Sequence, residues 1–223
     1  MFRGIKTTIF STEINMKNIK TLIFDLGNVI IPLEDEKNWW NETFLGIFEN
    51  YQEVQQLKED QFFVRYEKGE ILTNEFLEKL SQFLKPEFQE KDIILRWNAL
   101  LKEIPESRLD FLKELKNKYS IYLLSNTNEI HLDFIISALK EKYGLDTLEE
   151  IFNHCYYSFQ IKEVKPDAAI FLKVLNEQNL VAEECLFIDD KIENLYPAEK
   201  LGIQTILHLP HQEIHIELKD FLN

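Results

Sequence analysis

The sequence predicts an α/β protein: a Rossmann-like three-layer core with a parallel sheet, plus an inserted α-helical cap. Three observations carry this expectation. From about residue 105 onward, short apolar runs with β-branched content alternate with segments of helical periodicity, the pattern of parallel strands joined by helices. One earlier apolar run stands apart from that alternation, separated by a long helical stretch. Polar residues able to do chemistry follow the apolar runs directly, where open parallel sheets gather their sites.

The elements follow in order. Residues 1–18 form an N-terminal extension with a basic start. Its apolar stretch is broken by Lys6, Thr7 and Thr8, so a secretory signal is not expected. Met16 lies just before the first strand and offers an alternative start. Residues 21–24 (TLIF) read as a buried strand, and Asp25 follows it. Residues 19–32 and 105–223 make up the core, and residues 33–104 the helical cap. Within the cap, Phe44, Ile47 and Phe48, then Phe62, Phe63 and Tyr66, then Phe76, Leu77 and Leu80 recur at helical spacings. Gly69 separates two of these helices and Thr73 caps the second. Beyond Pro105 come a helix through Tyr119, a strand at 121–124, a helix at 130–143 closed by Gly144, and a strand near 155–159. A helix at 167–178, strand 185–188, a helix ending before Gly202, strand 205–209 and a polar helix complete the chain.

Composition sets the outer limits. Hydrophobic residues at 45% supply a core, and six Gly and six Pro are too few for a fibrous or disordered chain. With 25 basic against 39 acidic residues the net charge is −14, which excludes nucleic acid and anionic membrane as general partners. No run reaches the ~18 apolar residues of a membrane helix. Cys155 and Cys185 cannot build a disulfide framework and fit a reducing compartment, so the expected location is cytoplasmic. Oligomeric state is not written in this pattern.

Four clusters carry the chemistry: Asp25-Leu26-Gly27-Asn28, Ser125-Asn126-Thr127, Lys165-Pro166-Asp167, and Asp189-Asp190. Each alone also fits a turn or a helix cap. In this order they converge on one sheet edge, where Asp25, Asp189 and Asp190 bring three carboxylates together. Clustered carboxylates raise one another's pKa unless a cation joins them. A hard divalent ion with few protein ligands suits Mg²⁺. Ser125 and Lys165 are then placed to hold phosphate oxygens while Asp25 faces phosphorus, the parts list of phosphoryl transfer.

These residues resemble the haloacid dehalogenase-like hydrolase superfamily from about Lys20 to Pro210, with residues 33–104 in the slot of a type-1 helical cap. The strings DLGNV, LLSNT, VKPD and FIDD are similar to those of bacterial sugar-phosphate phosphatases acting on glucose 1-phosphate. The resemblance implies an aspartyl-phosphate on Asp25 and Mg²⁺ held by Asp25, the Gly27 carbonyl, Asp189 and Asp190. It also implies phosphate contacts from Ser125 and Asn126, with Lys165 neutralising charge. The implied substrate is a small phosphorylated metabolite, a sugar phosphate. One departure stands out: Gly27 occupies the place where most such phosphatases carry the acid that protonates the leaving group. Either the leaving oxygen is a good one, as in an anomeric phosphate, or Asn28 or a cap residue assists through water. A catalytically weak or inactive binding protein and a sugar-phosphate mutase are the alternatives, and the mutase would need the missing acid. A dehalogenase would not require the Asp189–Asp190 pair, and a phosphoryl-accepting receiver domain has no such insertion.

In the cap, Arg65, Tyr66 and Lys68 could reach a sugar or phosphate, although a solvated helix face ending at Gly69 explains them as well. Trp39 and Trp40 point in different directions on an α-helix, so at least one belongs to the core, and Trp97 reads as packing first. His211 and His215 share an i,i+4 spacing with nothing nearby to complete a zinc site.

Overall fold

The computed structural model describes residues 18–210 and 212–222. The extension over residues 1–17, Met16 included, and His211 lie outside the described residues. Among those described, five strands form one parallel sheet: β1 (Thr21–Phe24), β2 (Ser120–Ser125), β3 (His154–Tyr157), β4 (Cys185–Asp189) and β5 (Gln204–Leu207). Their order is β3-β2-β1-β4-β5. The chain builds outward from β1 to β3, then crosses back to lay β4 and β5 on the other side. That reversal beside β1 is a topological switch point, where such sheets open a crevice.

Strand side chains alternate between faces, and both faces are covered. Leu22, Phe24, Leu123 and Ile188 pack on one side with helices α5 (Glu106–Lys116), α6 (Glu129–Tyr143) and α9 (Ile214–Leu222). Ile23, Leu124, Tyr156 and Phe187 pack on the other with α7 (Ala168–Glu177) and α8 (Ile192–Lys200). The cap helices are α1 (Tyr51–Glu59), α2 (Phe62–Glu67), α3 (Thr73–Ser81) and α4 (Glu90–Asn98), and they enclose an apolar cluster of their own.

Several local expectations change. Strand β3 stops at Tyr157 rather than 159, because the buried Ser158 turns the chain into a helical turn, Ser158–Ile161. Strand β5 ends at Leu207 rather than 209; beyond it the His208 amide donates to the Asp189 carbonyl at 2.9 Å. The segment Trp39–Phe44 is a π-helical turn followed by a 3₁₀ turn, Leu45–Ile47. Its wider pitch turns Trp39, Trp40 and Phe44 all inward, so both tryptophans are core. Thr73 is the first helical residue of α3 and not its cap: Leu72 precedes it, and the Glu75 carboxylate accepts the Leu72 N–H at 2.9 Å.

Trp97 joins cap to core. Its ring lies 5.1 Å from Phe44, 5.3 Å from Phe76 and 5.4 Å from Trp39, and stacks on His131 of α6. Its indole N–H donates to Asn128 at the start of α6, at 3.2 Å. A second seam runs through α2. The Ser158 hydroxyl accepts the Thr127 amide at 2.9 Å and lies 2.6 Å from the Glu67 carbonyl. Lys162 also donates to the Gly69 carbonyl.

Gly69 makes this seam possible. It has φ +68°, and a Cβ there would sit 2.1 Å from the Phe159 carbonyl oxygen. Gly144 has nearly the same φ, +69°, with open space around it. Gly69→Ala should therefore destabilise more than Gly144→Ala, whose cost is the left-handed conformation alone, ~1 kcal/mol. In a chain of this size each further kcal/mol lowers Tm by ~2–4 °C, so thermal unfolding of the two variants resolves the difference. Equal Tm losses would mean that the cap does not press on the core at Phe159.

Candidate active site

Parallel pairing delivers the motif residues to one edge. Asp25 follows β1 and is fixed by its amide, which donates to the Ile188 carbonyl at 2.9 Å. Ser125 ends β2, Asp189 ends β4 and Asp190 follows. A cavity of about 290 Å³ is lined by Asp25, Gly27, Ser125, Asn126, Lys165 and Asp190, among others. Asp189 lies beneath it, fully buried. One oxygen each of Asp25, Asp189 and Asp190 falls within 4.8 Å of the others.

The Lys165 ammonium, buried, sits 2.6 Å from Asp25 Oδ1 and 2.7 Å from Asp189 Oδ2. Asp189 also accepts from the Asn194 amide at 2.9 Å and the Lys191 backbone N–H at 2.8 Å. Asn126 holds the main chain of Lys165 at both ends: its amide donates to the Lys165 carbonyl and its oxygen accepts the Lys165 N–H, each at 2.8 Å. The Asn126 side chain thus positions Lys165, a role the sequence reading did not include, and the residue also lines the cavity. Asn28, at φ +57°, a conformation Asn tolerates better than most residues, donates to Asp190 Oδ2 at 2.8 Å and accepts the Leu33 amide at 3.2 Å. Both ends of its amide are engaged.

The electrostatics follow from burial. Desolvation raises the Asp25 pKa; Lys165 opposes that, and Asp189 and Asp190 add to it. Burial likewise raises Asp190, with the Asn28 hydrogen bond opposing and Asp189 reinforcing. Burial alone would lower Lys165, but the attraction of Asp189 and Asp25 outweighs it and holds the amine charged. One ammonium cannot neutralise three carboxylates. An all-oxygen set with surplus negative charge fits a hard divalent cation such as Mg²⁺. Among the described residues this is the group of acids, histidines or cysteines close enough to hold a metal.

The cap contributes differently from the sequence expectation. Arg65 and Lys68 do not line the cavity; both pair with Glu70, at 3.3 and 3.8 Å. Glu67, between them, lines it instead, because it shares the inward face of α2 with Phe63 and Tyr66. That spacing was the signal available in the sequence. Lys191, Glu36, Glu193 and His131 also line the cavity. Lys191 pairs with Glu36 at 3.3 Å, while burial pushes His131 down to about 3 and leaves it neutral.

Removing Lys165 leaves the buried acids uncompensated. Lys165→Met should cost ~3–5 kcal/mol in urea unfolding without divalent ions, and Mg²⁺ should recover part of the loss. A neutral substitution would show that the bridging amine does not balance this site.

A family model described as haloacid dehalogenase-like hydrolase matches residues 19–202. D-ribitol-5-phosphate phosphatase of Bacteroides thetaiotaomicron is 26% identical over 187 residues, spanning 84% of this chain and 90% of that protein. A phosphorylated carbohydrates phosphatase of Thermotoga maritima is 28% identical over 200 residues, 86% of each. The magnesium complex of a haloacid dehalogenase family enzyme from Bacteroides thetaiotaomicron superposes with a TM-score of 0.78 at 35% identity, covering 87% of this chain and 96% of that one. A hydrolase of the same family from Porphyromonas gingivalis reaches a TM-score of 0.81 at 28% identity, covering 92% and 98%. The fold, the order of strand-end residues and these matches agree: the chain belongs to the haloacid dehalogenase-like hydrolase family.

Proposed function

We propose that the protein is a magnesium-dependent phosphatase acting on a small phosphorylated metabolite, a sugar or sugar-alcohol phosphate, through an aspartyl-phosphate on Asp25. The observation that carries this reading is the Lys165 ammonium at 2.6 Å from Asp25 Oδ1, in the same cavity as Ser125. Lys165 aims the Asp25 carboxylate and favours its ionised form against burial, and its charge offsets that of the phosphoryl oxygens. The Ser125 hydroxyl, which lines the same cavity, would donate to one of those oxygens. Asp25, the main chain at Gly27, Asp189 and Asp190 would hold the metal, which when bound supplies positive charge beside the phosphoryl group. Asp25 attacks phosphorus, the ester P–O bond breaks and the alcohol departs. Water then attacks the aspartyl-phosphate, releasing inorganic phosphate and restoring Asp25.

The volume of about 290 Å³ is near the lower end of small-molecule sites and suits one metabolite. The relatives named for ribitol 5-phosphate and for phosphorylated carbohydrates support that class. Phosphate release should be measured over sugar phosphates, polyol phosphates, nucleotides and small esters. Turnover should require Mg²⁺, vanish with chelator and fall to background in Asp25→Asn. Turnover that survives Asp25→Asn or chelation contradicts the mechanism. Phosphate binding without turnover would instead favour a binding protein, the reading that Gly27 alone recommends.

A further inference from the structure

We infer that Glu67 is the catalytic acid of this site, giving the leaving oxygen the proton that no residue at position 27 can supply; the inference rests on the phosphatase reading above. A phosphoryl transfer places the attacking and departing oxygens roughly in line. Asp25 attacks from the strand end, so the ester oxygen departs toward the wall contributed by the cap. Two cap acids line the cavity, Glu36 and Glu67, and Glu36 is paired with Lys191.

Its placement is built in. Glu67 ends α2, its carbonyl lies 2.6 Å from Ser158 Oγ, and two residues on Gly69 packs against Phe159. The contact of the α2 end with Ser158 and Phe159 is therefore what holds this carboxyl at the cavity. Among the described residues no hydrogen-bond or ion-pair partner holds its carboxyl group. The neighbouring candidates are committed elsewhere. Glu36 is exposed and paired with Lys191, Glu193 is exposed, and Asp190 is held by Asn28. The Nδ1 of His131 is 3.0 Å from Asn98 Oδ1. Position 27 is tight as well: a Cβ there would sit 3.1 Å from Leu33 Cδ1, which would have to shift to admit it.

Burial pushes the Glu67 carboxyl up to about 7, with Lys191 and Lys165 opposing and Glu36 reinforcing. Asp25, Asp190, Glu193 and His131 are the other ionisable groups lining the cavity. A carboxyl so raised is protonated below about 7 and can both give and accept a proton near neutrality. The step balances. As Asp25 bonds to phosphorus, the electron pair of the breaking P–O bond moves to the leaving oxygen, which takes the Glu67 proton and departs as alcohol. Glu67 then takes a proton from the water that attacks the aspartyl-phosphate, and both carboxyl groups return to their starting states. A primary alkyl phosphate, such as the one named for the Bacteroides relative, has a poor leaving oxygen and needs this proton most.

The test is the leaving-group dependence of kcat/KM, measured with Mg²⁺ on ribitol 5-phosphate, phenyl phosphate and p-nitrophenyl phosphate. Glu67→Gln should lose ~10²-fold or more on ribitol 5-phosphate, less on phenyl phosphate, and little on p-nitrophenyl phosphate, whose leaving group needs no proton. In the wild type the phenyl to p-nitrophenyl ratio should fall as pH rises through about 7, and in Glu67→Gln it should be flat. A uniform loss on all three esters, or a wild-type ratio independent of pH, overturns the role of Glu67 while leaving the phosphatase standing. A wild type inactive on all three overturns both.

Discussion

The ammonium of Lys165 lies between Asp25 and Asp189, at 2.6 and 2.7 Å, and much of the sheet edge is arranged to keep it there. Burying an amine is costly unless charge partners and hydrogen bonds compensate, and burying three acids around it is costlier. Asn126 fixes the lysine's main chain, Asn194 and the Lys191 amide share Asp189, and Asn28 restrains Asp190. Each contact removes a way for the charges to separate. The result is a preorganised site with surplus negative charge, which reconciles a chain of net charge −14 with an anionic ligand. With a divalent cation bound, the charges close to the phosphate dominate a diffuse surface that salt screens.

The second constraint is the contact of cap with core. Trp97 packs among cap aromatics while its indole N–H bonds Asn128 of the core, and Thr73 of α3 reaches Glu129 of α6 at 2.5 Å. The α2 end, Gly69 and Ser158 close the same boundary from the other side. Asn98 adds a contact with His131 at 3.0 Å, so polar bonds and the aromatic cluster together hold these helices against the core. That cluster includes Phe63 and Tyr66 of α2, so the packing that orders these helices also positions Glu67 at the cavity.

The core was legible because its signals are categorical. An apolar run ending in Asp, Ser or Asp-Asp marks a strand end, and parallel topology then forces those ends together, so the meeting of Asp25, Ser125 and the Asp189–Asp190 pair was legible. Lys165 joins them from the loop beyond the helical turn that follows β3. The cap resisted because its content depends on which helix face turns inward. Arg65 and Lys68 carry the conspicuous charges, yet Glu67 shares the buried face of Phe63 and Tyr66. The π-helical turn at Trp39–Phe44 violates the periodicity from which helices are read. Buried polar groups in polar-looking helices were equally hidden. Arg108 donates to the carbonyls of Val29 and Ile30 at 3.1 and 3.3 Å, and Glu217 of α9 lies 2.6 Å from His208. No periodicity announces such pairs: Arg108 reaches carbonyls far back in the chain, and His208 meets Glu217 only because the chain turns from the end of β5 into α9.

The claim on which the rest turns is that Asp25 carries the phosphoryl group. Rapid acid quench of the Mg²⁺-loaded enzyme during turnover, followed by borohydride reduction and peptide mass spectrometry, reads this directly. The account predicts that the carboxyl of Asp25 is the group reduced, in amounts that rise and decay with turnover. Turnover with no acid-stable adduct at any quench time, or an adduct on another residue, would contradict it.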